Sequence, residues 1–139
     1  MIYMKNGMHT YDLRMMRYPS IYEYMFVFSK GRPNTFNPIM DRPNKYAGTM
    51  VSKGTHRKPD GTMRIDNAYV QKEFSARYNV WQYNVGNYKD TKDKVALGHP
   101  ARFPEQLAHD LMISWTNEGD LVYDPFIGSG TTGKVALLN

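Results

Sequence analysis

The sequence predicts an α/β fold from three observations. A short apolar run, Leu121-Val122-Tyr123, is followed by the Gly-rich string Asp124-Pro125-Phe126-Ile127-Gly128-Ser129-Gly130-Thr131-Thr132-Gly133 and a helix from Lys134 onward. Strand, Gly-rich turn, helix is half of a nucleotide-binding βαβ unit. Asn79-Val80-Trp81-Gln82-Tyr83-Asn84-Val85 alternates apolar and polar residues with period two, which marks a half-buried strand closed by Gly86. Leu107, Leu111, Met112 and Trp115 recur at helical spacing.

In chain order, Met1-Ile2-Tyr3-Met4 is a short apolar start that reads as the middle of a strand. Ile21-Tyr22-Glu23-Tyr24-Met25-Phe26-Val27-Phe28, aromatic and β-branched with one charge, predicts a buried strand of about seven residues. Residues 29–66 carry Pro33, Pro38, Pro43 and Pro59 and the turn pairs Lys30-Gly31, Lys53-Gly54 and Asp60-Gly61, too much punctuation for long elements. Loops and short strands are expected there. Residues 89–94 form a charged connector. Pro104 suits the first position of a helix and Glu105 its positive dipole end, and the helix runs to about Thr116. The second helix is entered but not finished at Asn139, so both ends of the chain are expected to be cut within elements.

The 139 residues make one ordinary domain, and 41% apolar with 22% charged residues is a globular composition. The longest apolar stretch, Tyr24-Met25-Phe26-Val27-Phe28, falls far short of the roughly 18 to 20 residues of a membrane span, and no signal pattern opens the chain. A soluble, cytoplasmic protein with no membrane partner is expected. The lack of cysteine excludes disulfide scaffolds, Cys-based zinc sites and thiol nucleophiles. His9, His56 and His109 share no metal-ligand spacing, and no metal site is expected.

Charge is uneven. Between Lys30 and Lys94 thirteen Lys and Arg face six acids, a balance of +7 that leaves −2 for the remainder. Phe36, Tyr46, Tyr69, Phe74, Tyr78, Trp81, Tyr83 and Tyr88 are interleaved with those cations, the combination that phosphate contact and base stacking use. A solvated basic face is the alternative. Arg57, Lys58 and Arg64 flank the Pro59-Asp60-Gly61 turn, and a basic turn tip reaches grooves or phosphates; they are the candidate DNA contacts.

Gly128 and Gly130 let a ligand approach the backbone, and the helix that follows offers free N–H groups to a carboxylate or ribose. The string Asp124-Pro125-Phe126-Ile127-Gly128-Ser129-Gly130-Thr131-Thr132 resembles motif I, the S-adenosylmethionine-binding motif of DNA amino-methyltransferases. His99-Pro100-Ala101-Arg102-Phe103-Pro104-Glu105-Gln106-Leu107, just upstream, resembles motif X of that family. Motif X before motif I is the permuted order of the β class, in which the catalytic loop and target recognition come first. Tyr22-Glu23-Tyr24-Met25-Phe26-Val27-Phe28-Ser29-Lys30-Gly31 is similar to the strand and turn that follow the catalytic half.

The resemblance implies an incomplete Rossmann-like methyltransferase sheet carrying an irregular, loop-rich basic insertion. Residues 1–31 would be strands from the end of the catalytic half, residues 32–98 the target-recognition segment, and residues 99–139 the start of the cofactor-binding subdomain. It implies S-adenosylmethionine as cofactor, double-stranded DNA as partner and a bacterial or phage setting. Asp124, Phe126, Gly128, Ser129, Gly130 and Thr131 would line the methionine and ribose end, and His99, Ala101 and Phe103 the other wall. An aromatic face near a sulfonium is also a cation–π contact. Phe126 reads equally as a core aromatic, and His99 as a structural histidine.

The family's catalytic motif, Asp, Asn or Ser before Pro-Pro and an aromatic, does not occur in the 139 residues, which contain no Pro-Pro pair. The acidic residue for the ribose hydroxyls, roughly 20 residues past the Gly-rich turn, does not occur either. The expectation is therefore a piece of an enzyme that methylates adenine N6 or cytosine N4, inactive alone. Two alternatives stand beside it: a non-catalytic DNA-binding module, and a relic that forms a homodimer through its open sheet edges.

Overall fold

The computed structural model describes residues 1–7, 14, 16–86, 89–90 and 104–138. They form two compact units, one of Met1–Ile39 with Tyr78–Asn139 and one of Met40–Arg77.

In the first unit, β1 (Ile2–Asn6) is the middle strand of a three-stranded sheet. It pairs antiparallel with β2 (Tyr22–Tyr24) and parallel with β9 (Val80–Asn84). The period-two pattern of β9 is realised: Trp81 and Tyr83 are buried and their neighbours in the strand are exposed. They join Tyr3 and Leu107 in one apolar cluster, with Tyr3 and Tyr83 ring centroids 5.8 Å apart. Gly86, at φ 102°, takes the left-handed turn that ends the strand's run.

Helix α1 (Glu105–Trp115) lies against this cluster through Leu107. Pro104 sits at its N-cap with extended backbone, one residue before the helical position expected of it, and Thr116 closes the other end by donating its N–H and its hydroxyl to the Met112 carbonyl. Helix α2 (Thr131–Leu138) packs on α1 through Ala108, Met112 and Val135, and Lys134 Nζ reaches Glu105 Oε1 at 2.8 Å. The buried Asp110 carboxylate is satisfied by Tyr83, whose hydroxyl donates at 2.7 Å, and by Gln106 at 2.8 Å, tying β9 to α1.

The second unit holds three two-stranded ladders: β3 (Arg42–Pro43) with β8 (Phe74–Ser75), β4 (Met50–Val51) with β7 (Tyr69–Val70), and β5 (Thr55–Arg57) with β6 (Met63–Ile65). The loops and short strands expected from its punctuation are found.

Three expectations are corrected. The aromatic run 21–28 is not a buried seven-residue strand: only Tyr22–Tyr24 pair, and Tyr24, Phe26 and Phe28 are exposed, because the run lies at the sheet edge with a neighbour on one side alone. Leu121-Val122-Tyr123 is not a buried strand; Leu121 is 93% exposed, and no strand among the described residues ladders with it. An apolar triplet without a ladder leaves its backbone groups unpaired and has no reason to adopt strand geometry. Helix α2 begins at Thr131 and not Lys134, since the Lys134 N–H already donates to the Gly130 carbonyl in its first turn.

Candidate cofactor-binding site

Of the nine sequence-predicted cofactor residues, Asp124, Phe126, Gly128, Ser129 and Gly130 lie on one turn that feeds α2, and Thr131 is the first residue of that helix. His99, Ala101 and Phe103 lie outside the described residues. Asp124 organises the turn from both ends: Oδ1 accepts the Phe126 N–H at 2.9 Å, and Oδ2 accepts the Thr132 hydroxyl at 2.6 Å. A single carboxylate thus staples the start of the loop to the first turn of the helix.

Between those anchors the backbone reverses. Gly128 and Gly130 have φ of 51° and 84°, and the Gly130 N–H donates to the Ile127 carbonyl at 2.8 Å. These left-handed conformations disfavour side chains. A Cβ built on Gly130 would meet no atom within 4 Å, so the glycine leaves open space in front of the backbone, as a ligand-facing cradle requires. At Gly133, by contrast, a Cβ would make an ordinary 3.4 Å contact with the Ile127 Cδ1.

The chemistry fits an adenosyl amino acid. The first N–H groups of α2 lack intrahelical acceptors, its first turn has no acidic side chain, and the aligned peptide dipoles favour a carboxylate there. Ser129 and Thr131 hydroxyls lie 3.2 Å apart. Phe126 is 90% exposed, so the core-aromatic reading is set aside and its ring face is available to a cation. Among the described residues no cluster of His, Cys, Asp and Glu could hold a metal ion.

The candidate DNA contacts share one exposed hairpin in the second unit. Arg57 lies opposite Met63 and His56 opposite Arg64, and the Lys58 N–H donates to the Thr62 carbonyl at 2.8 Å. Asp60 shapes the tip by accepting the hydroxyl and the N–H of Thr62, bonds that hold its carboxyl below the ordinary value. Arg64 is committed to Asp66 at 2.6 Å, and His56 meets the same carboxylate at 2.8 Å, so Arg57 and Lys58 are the better placed pair for phosphate.

Two residues escaped the sequence reading. Thr132 carries no role in the motif as the sequence presents it, yet its hydroxyl closes the Asp124 staple. Asp110 is buried as well, and the signal for it in the sequence is its position between Leu107 and Leu111, which puts it on the edge of the buried stripe.

The DNA methylase family model of N6/N4 methyltransferases matches residues 1–139. The orphan methyltransferase M.BamHII of Bacillus amyloliquefaciens is 51% identical over 141 residues, covering all of this chain and 52% of that protein. The type II methyltransferase M.MjaI of Methanocaldococcus jannaschii is 31% identical over 83% of this chain and 30% of its own length. The DNA adenine methyltransferase YhdJ of Escherichia coli is 41% identical over 59 residues, 42% of this chain and 19% of that protein. The chain thus spans about half the length, or less, of these curated relatives. No solved structure matches. A family match along the whole chain, over a Gly-rich turn stapled in this way, places the protein in the N6/N4 DNA methylase family.

Proposed function

We propose that this chain supplies half of a cofactor pocket and the recognition surface of a DNA amino-methyltransferase, which moves the methyl group of S-adenosylmethionine to adenine N6 or cytosine N4. In this reading residues 1–31 close the catalytic half within an incomplete Rossmann-like sheet, residues 32–98 contact double-stranded DNA, and residues 99–139 open the cofactor subdomain. The observation that carries it is the Asp124 staple around two left-handed glycines at a helix N-terminus. The cofactor brings the reactive methyl group; the protein's part is to hold the amino-acid end on Gly128–Gly130 backbone and the α2 terminus, and to set Phe126 beside the sulfonium.

With no Pro-Pro-aromatic motif to grip an extruded base, the 139 residues are expected to bind without turning over. Ligand-observed NMR of S-adenosylhomocysteine with the purified chain tests both parts. Contact at the methionine protons is expected, and Gly130→Val is expected to erase it by filling the cradle and straining φ. Absence of contact in the unsubstituted chain overturns the cofactor assignment. Homocysteine-form cofactor accumulating from S-adenosylmethionine and DNA overturns the inactivity. The basic second unit, compact by itself, favours one further reading, a DNA-binding module; it is distinguished by salt-dependent DNA binding with no cofactor contact.

A further inference from the structure

In the second unit β5 and β6 make a two-stranded ribbon whose two faces differ. His56 and Arg64 stand opposite one another in the register and so share one face; Thr55 opposite Ile65 and Arg57 opposite Met63 share the other. The first face is bound together by Asp66. The Asp66 N–H donates to the Gly54 carbonyl at 2.9 Å, which fixes its backbone to the start of the ribbon. Its Oδ1 accepts from both Nε and Nη2 of Arg64, at 2.7 and 2.6 Å, and its Oδ2 meets His56 Nε2 at 2.8 Å. The carboxylate is thus gripped from both strands, and only 23% of the Asp66 side chain is exposed against 65% of that of Arg64.

We propose that Arg64 reads a guanine in the major groove of duplex DNA, its Nη1–Nη2 edge donating to the base's O6 and N7, with Asp66 as the positioning residue. This rests on the reading of residues 32–98 as the DNA-recognition segment. A guanidinium is a rigid plane with two donor edges. Asp66 occupies the Nε–Nη2 edge and fixes the plane, which leaves the parallel N–H pair of Nη1 and Nη2 for a ligand. That pair matches two adjacent acceptors, and guanine alone among the bases presents two adjacent acceptors in the major groove, a groove wide enough to admit a two-stranded ribbon. Phosphate is the poorer occupant. The Asp66 carboxylate offsets the Arg64 charge and would stand close to a phosphate of its own sign, whereas the guanine acceptors are uncharged. Arg57 and Lys58 differ: among the described residues neither pairs with a carboxylate, so their charge is left for the DNA backbone. The hairpin thus divides the work, two cations at its tip positioning the duplex and one held arginine reading a base.

The chain is equilibrated with a pool of randomised DNA duplexes and the bound fraction is sequenced. The expected result is a position enriched for guanine, whose enrichment is lost in Arg64→Ala and also in Arg64→Lys, which keeps the charge but not the fork. For the unsubstituted chain, replacing that guanine by 7-deazaguanine, in which C–H stands in place of the N7 acceptor, is expected to weaken binding about tenfold, a measurement that needs no variant to fold. Asp66→Asn is expected to flatten the guanine preference while raising affinity for the pool as a whole, since a negative charge leaves the surface; a residue that merely held the hairpin together would lower both. Guanine preference retained by Arg64→Ala or Arg64→Lys, or indifference to 7-deazaguanine, overturns the proposal. So does a salt slope that falls by about one in Arg64→Ala with the base preference kept, the mark of a phosphate contact. Duplex binding without base preference overturns this inference alone; no duplex binding at low salt overturns the DNA-recognition reading and this inference with it.

Discussion

The two units are held by different forces. The first has two apolar clusters, Tyr3, Trp81, Tyr83 and Leu107 between sheet and helix, and Ala108, Met112 and Val135 between helices. The second, Met40–Arg77, contains no buried residue at all. Its order comes from three two-stranded ladders and from polar clasps such as Asn44 to the Lys72 carbonyl at 2.7 Å and Arg77 to Asp41 at 2.6 Å. Isolated two-stranded ladders are marginal in water, and exposed ion pairs contribute little. Its eight Lys and Arg against four acids repel one another when nothing anionic is near. One unit is held by apolar packing, the other by ladders and polar clasps.

The largest expected effect is on the first unit. Trp81→Ala removes a buried ring that packs against Tyr83 at 6.4 Å and is expected to cost about 3–5 kcal/mol in denaturant unfolding. Phe74→Ala, in the second unit and 39% exposed, is expected to cost below about 1 kcal/mol. Equal costs for the two would erase the distinction between the units.

The same distinction explains what was legible in the sequence. Trp81 and Tyr83 were readable because period-two alternation reports a one-sided environment, and residues 105–115 because helical spacing does the same. Asp124, Gly128 and Gly130 were readable because turn chemistry is local: a short carboxylate side chain and left-handed glycines act within a few residues. Tyr22 to Phe28 and Leu121 to Tyr123 were misread because apolar, β-branched composition states what a segment prefers to be buried against, and that partner is a matter of tertiary context. The Tyr83–Asp110 bond was invisible for the same reason, linking residues far apart in sequence.

The second expected effect concerns the unit without a core. Arg57→Ala with Lys58→Ala is expected to leave the unfolding transition unchanged, because both side chains are exposed, and to weaken duplex DNA binding. The slope of log affinity against log salt is expected to fall in magnitude by about two, one unit for each lost phosphate contact. An unchanged slope removes the hairpin from the DNA interface; a lowered stability would show that the hairpin cations serve folding.

The smallest effect uses pH to separate the units. Burial, with Glu23 and Asp90 adding negative potential, pushes the Tyr3 hydroxyl from 10.0 up to about 12. The unfolded chain then loses this proton near pH 10 while the folded chain keeps it, so Tyr3 contributes its full stability below pH 10 and loses it progressively as pH rises toward 12. The first unit is therefore expected to soften across that window. Tyr3→Phe should flatten the pH dependence there, at some cost in stability at neutral pH, while hydrogen exchange in the β5–β6 hairpin shows no Tyr3-dependent change. If Tyr3→Phe left the alkaline slope as it was, the phenol would be titrating in contact with water, and the sheet–helix cluster would be looser than its packing implies.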